Sequence, residues 1–220
     1  MNKTVFYLAM AIMVVFFTDC NKTDQISENE TVTDSYGDAL IKENPLIVKV
    51  TNLENGKGDI AFAKFYVTYY SNGDWPYLAF SAKFENDGFE LNFPATIPSE
   101  YLDSASNTMI NEGLPSSDTQ AKTVSVNIEA HNSSDEIIGA FGFVSDNWAI
   151  EFKYADRDFT EKGTSDYYGV EYDCSYKKGW NIVYWSLNGQ KKHTTQKPLN
   201  ETFKCHFTYL TAWAIKNADQ

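Results

Sequence analysis

The chain has 220 residues, 43% of them hydrophobic and 22% charged, which excludes disorder along its whole length and allows one sizeable domain or two small ones. Its net charge is −12, Arg157 is its one arginine, and its longest basic runs are the pairs Lys177-Lys178 and Lys191-Lys192. Nucleic-acid binding draws on clustered cations to replace counterions, so that class of partner is set aside.

The N-terminus opens with Lys3 and an apolar run from Val5 to Phe17. Thirteen residues rise only about 20 Å as a helix, short of the roughly 30 Å hydrocarbon core, so the run reads as the apolar part of a secretory signal over 1–19. Cys20 follows at once, in the position of a lipobox cysteine, although Asp19 before it departs from the usual small residue. Cys20 is thus the expected lipid anchor (palmitate as one acyl chain), and plain secretion is the alternative. Two or more acyl chains would give the stable membrane hold that one chain does not. The polar stretch over 20–43 reads as a flexible tether.

Beyond it, short apolar runs alternate with turn signals. Asn55-Gly56, Asn72-Gly73, Asp87-Gly88 and Asn188-Gly189 each reach positive φ cheaply and predict hairpins. In the first half Ala63, Phe65, Val67 and Tyr69 share one face, and Phe89, Leu91 and Phe93 alternate with Glu90 and Asn92. A Ser-, Asn- and Pro-rich break over 99–119, with one helical turn near Glu100–Leu102, separates an N-terminal β half (44–98) from a C-terminal one (120–212). Fourteen Tyr, fifteen Phe and five Trp favour strands. About ten strands without βαβ alternation predict an all-β, antiparallel sandwich, with a closed barrel as the alternative. Leu210–Ala218 carries the one helical period of note.

Chemistry is sparse. Cys174 and Cys205 both fall on apolar strand faces, consistent with either a disulfide or two buried thiols. His131, His193 and His206 lack metal-ligand spacing and read as surface residues. Asp156 and Asp158, in "YADRDFTEKGTSD", are candidates for a metal site or for a glycoside-cleaving pair, against a solvated loop in which Arg157 offsets its neighbours. No cofactor motif is present in the sequence. Trp75, Trp148, Tyr167 and Tyr168 sit beside Asp, Asn or Gly at predicted loops, where flat rings can stack on sugars, and are the ligand-binding candidates. Trp180 and Trp185 read as core.

Gly88-Phe89, Leu91, Pro94 and Tyr101-Leu102 in the first half, with Tyr154-Ala155-Asp156, Lys178-Gly179-Trp180-Asn181 and Thr194-Thr195 before Lys197-Pro198 in the second, resemble segments of a family of Bacteroidota-type surface lipoproteins. The first half also resembles prealbumin-like sandwich modules. The resemblance implies export to the outer membrane, a lipidated Cys20 and an Ig-like or prealbumin-like sandwich, and supplies no activity. Asp103-Ser104-Ala105 fits the O-glycosylation pattern of such bacteria, at Ser104. The functional expectation is a non-catalytic envelope protein whose partner is a glycan or an envelope protein. An accessory subunit of a surface assembly and a glycoside-active enzyme stand as alternatives.

Overall fold

The computed structural model describes residues 35–53, 59–68, 77–104, 116–166, 169–189 and 191–209. Strands β1 (Ser35–Glu43), β2 (Leu46–Thr51), β3 (Phe62–Thr68), β4 (Tyr77–Lys83) and β5 (Phe89–Asn92) come first. A 3-10 turn at Ser99–Tyr101 and the short β6 (Asp103–Ser104) lead to β7 (Lys122–His131), β8 (Ile137–Val144), β9 (Trp148–Ala155) and β10 (Phe159–Thr164). β11 (Glu171–Tyr176), β12 (Gly179–Ser186), β13 (Lys192–Thr194) and β14 (Lys204–Tyr209) complete the order.

The long β7 is the hub. Its first residues pair with β9 (Thr123 opposite Ala155) and its last with β8 (Glu129 opposite Ala140), while β3 and β6 take further pairings along it. β8 then continues past β7 to meet β9 at Phe143 and Ile150. From this junction the sheet runs one way through β8, β14, β1, β2 and β5, and the other way through β9, β12, β13, β11 and β10. The result is a single, sandwich-like mixed sheet. Among the described residues the strand pairings are antiparallel except β11 with β13, which is parallel and was not foreseen.

Side-chain alternation explains where the core lies. Phe152 and Tyr154 of β9, with Ile182 and Tyr184 of β12, face a cluster that also takes Val48, Phe65, Phe93, Phe143 and Phe207. Residues of both expected halves share this cluster, so 44–98 and 120–212 build one core. Phe65 is fully buried, with Phe93 edge-on to it at 5.2 Å. Such a side chain contributes roughly 1.5–3 kcal/mol by leaving water. The opposite face of β9 and β12 is covered too. Ala155 and Val183 pack there with Ala121, Phe159, Cys174 and Tyr176 in a second, smaller cluster.

Three expectations need correction. The tether assigned to 20–43 ends early, because Ser35–Glu43 is β1, bonded to β14 on one edge and β2 on the other. Main-chain pairing on both edges holds a strand whose side chains are mostly polar. At Asp87-Gly88 the chain makes a turn between β4 and β5, which pair with β3 and β2 and not with each other; its left-handed residues are Asn86 (φ 52°) and Asp87 (φ 56°), with Gly88 one step later. Gly88 serves close approach: a Cβ there would lie 2.0 Å from the Val50 carbonyl oxygen. Cys174 and Cys205 are free buried thiols in different clusters, so no disulfide joins them. Asn188-Gly189 does connect β12 to β13, with Gly189 at φ 82°. Asn55-Gly56, Asn72-Gly73 and Leu210–Ala218 lie outside the described residues.

Candidate functional site

The candidates taken from sequence do not converge. Cys20, Trp75, Tyr167 and Tyr168 lie outside the described residues, as does the side chain of Ser104 in β6. Trp148 is half-buried and packs on the main core. Asp156 accepts the Lys122 backbone N–H at 2.9 Å and pairs with Arg157, which also reaches Asp118. Asp158 accepts from the Lys177 ammonium at 2.9 Å and the Lys178 backbone N–H at 2.8 Å. Both carboxylates therefore clamp strand ends. Among the described residues, no group of three His, Cys, Asp or Glu side chains is placed to hold a metal ion.

The histidines correct the sequence reading. His131 is 3% and His206 8% exposed, and His193 is half-buried. A register shift at the end of β7 accompanies the burial of His131, which meets Glu129 at 3.1 Å and the Asp135 carbonyl at 3.0 Å. His206 lies under Tyr36, their rings stacked at 4.6 Å.

His193 belongs to a different arrangement. The parallel pairing sets Tyr172 opposite His193, and the β12–β13 pairing sets Trp185 opposite it on the other side. Three half-buried rings thereby stand in a row across β11, β13 and β12, with centres 4.8 Å (Tyr172 to His193) and 6.5 Å (Trp185 to His193) apart. The next strands place Glu151 opposite Val183, Lys153 opposite Asn181, and Ser125 opposite Lys153, all by alternation on this same face. It is the face of the smaller cluster, away from the main core.

The polar groups here are matched to one another. The Ser125 hydroxyl donates to Glu151. Burial raises the Glu151 carboxyl, but the Lys153 ammonium, that hydroxyl and His193 together outweigh it and hold the group below its ordinary value. Burial, with Lys153 adding, pulls His193 down to about 4 against the opposing pull of Glu151. The imidazole is consequently neutral at working pH, one nitrogen donating and the other accepting. Lys153 also lies 5.7 Å from the centre of the Tyr176 ring. The Tyr176 hydroxyl donates to Glu161 at 2.9 Å, and burial, then the Glu161 charge, raises its pKa far above the usual value.

Chemically, the face offers an uncharged aromatic row with a carboxylate and an ammonium on the next strand, β9, and a hydroxyl on β7 beyond it. Such a surface can take the flat side of a hydroxylated ring and bond its edges. Sequence reasoning placed Trp185 in the core and did not single out Tyr172. Their meeting at His193 depends on a parallel pairing that local patterns do not encode.

Comparisons of the chain with family models, with curated proteins and with solved structures find no match. What the fold establishes is the class: an all-β protein built on one mixed, sandwich-like sheet.

Proposed function

We propose that the protein is an exported cell-envelope lipoprotein, tethered through acylated Cys20, whose Ig-like or prealbumin-like sandwich binds glycans without catalysing a reaction. The binding surface in this reading is the row Tyr172, His193 and Trp185, flanked by Ser125, Glu151 and Lys153. The observation that carries it is the row of three half-buried neutral rings standing side by side across β11, β13 and β12, on the face away from the main core. Neutral rings favour a hydroxylated ligand over a charged one. Tyr167 and Tyr168 fall in the connection between β10 and β11, next to Tyr172 in the chain.

Two experiments test the two parts. Replacing Trp185 with Ala removes one stacking ring and is expected to weaken a glycan ligand by roughly five-fold or more, with Tyr172→Ala acting in the same direction. Unchanged affinity in both variants removes the row from the site. For the anchor, palmitate labelling of the full chain in a bacterial host is expected to be lost in Cys20→Ala. Labelling that persists in the variant, or that never occurs in the parent, refutes the anchor.

A further inference from the structure

The other face of β12 carries a second concavity. The turn between β1 and β2, the chain leaving β5 and the turn between β11 and β12 enclose a groove of about 450 Å³. That volume falls within the roughly 300–1,000 Å³ common for small-molecule sites. Pro45, Pro94 and Trp180 supply flat walls, and the Trp180 indole N–H donates to the Pro94 carbonyl at 2.8 Å, which fixes its ring.

Tyr184 also lines the groove. The ring is buried, 3% of the residue being exposed, while the hydroxyl, which bonds to no other described residue, opens onto the groove. Burial, then the nearby Glu43 carboxylate, pushes this phenol up to about 12, so it stays a proton donor throughout the working range. A donor open to the groove can give its proton to water or to an acceptor on a bound molecule.

The rim carries two exposed charges of opposite sign, Glu43 and Lys178, and neither has a partner among the described residues. Their neighbours are different. Lys177 is tied to Asp158, and the Asn181 amide is fully used on the backbone of Lys177 and Gly179. A simple anion would meet Glu43, and a simple cation would meet Lys178. A molecule carrying both charges answers both.

We infer that this groove binds a short peptide with free ends, its ammonium on Glu43, its carboxylate on Lys178, a backbone carbonyl on the Tyr184 hydroxyl and an apolar side chain over Trp180. The site is independent of the aromatic row, because Trp180 and Tyr184 alternate with Val183 and Trp185 along β12 and face the main core side.

The test is calorimetric titration of the full chain, in mild detergent, with the dipeptide alanylphenylalanine and the tripeptide alanylalanylphenylalanine, each free, N-acetylated or C-amidated. The free peptides are expected to bind, and each cap to weaken binding about ten-fold. Glu43→Gln should erase the acetylation penalty alone, Lys178→Gln the amidation penalty alone, and Tyr184→Phe should cost roughly five-fold. Glu43 and Lys178 are exposed, so their variants decide the matter even if Tyr184→Phe does not fold. No binding by either free peptide, equal binding of capped forms, or penalties that survive both rim variants would overturn the assignment.

Discussion

Gly88 and His193 show how single residues set limits on this protein. At Gly88 the obstacle is backbone, since the Val50 carbonyl oxygen and carbon would lie 2.0 and 2.8 Å from an added Cβ. Neither can rotate aside as a side chain would. Gly88→Ala is therefore expected to destabilise the fold by about 1–3 kcal/mol in urea titrations, and an unchanged midpoint would contradict the close approach. His193 has its folded pKa lowered to about 4 from an ordinary 6.5. Between those values the unfolded chain takes up a proton that the folded chain refuses, so stability falls as pH drops through this window and is level above it. Denaturation midpoints at pH 4.5, 5.5, 6.5 and 7.5 should show a loss on the order of 1–3 kcal/mol, much reduced in His193→Gln. Equal losses in parent and variant would assign the slope to other groups. The histidine environments themselves were not legible from sequence. A histidine's burial depends on what crosses over it, here Tyr36 over His206 and the β7–β8 turn over His131.

Elements were legible where one face pays for the fold and the other meets water. β5 is the clear case, with Phe89 and Leu91 buried against exposed Glu90 and Asn92, as alternation requires. β3 is similar, with Ala63, Phe65 and Val67 all buried. β1 failed because its pattern is polar and its Leu40 is 68% exposed, so nothing in its side chains announces a strand. Its place between β14 and β2 comes from main-chain pairing that a sequence window cannot display. The aromatic row was hidden for a related reason. Tyr172 and His193 are separated by a complete hairpin strand, β12, and meet only because β13 returns parallel to β11. The row itself predicts an element-scale effect: loss of Trp185 or Tyr172 should change ligand affinity with little change in stability, since both rings are half-buried and outside the main core.

At the scale of the whole molecule, one sheet with two covered faces accounts for the distribution of apolar residues. β9 and β12 are packed on both sides, which is why "AIEFKYA" and "NIVYWSL" hold apolar residues at both parities. The two cores also keep the thiols apart, Cys205 in the large cluster and Cys174 in the small one. Burial pushes Cys174 up to about 11 and Cys205 higher still, so neither is a thiolate at neutral pH. Both should resist Ellman's reagent in the folded protein and react once it is unfolded in urea; fast reaction of either in the native state would contradict its burial. The two sides of β12 likewise separate the two proposed binding surfaces, rings on one and the Tyr184 groove on the other. A screen of the full chain on a glycan array, with Trp185→Ala and Tyr172→Ala beside it, tests the central claim most directly. A coherent set of related sugars bound by the parent, and lost or weakened in both variants, is the predicted result. A blank array from folded protein, or binding that both variants retain in full, would contradict it.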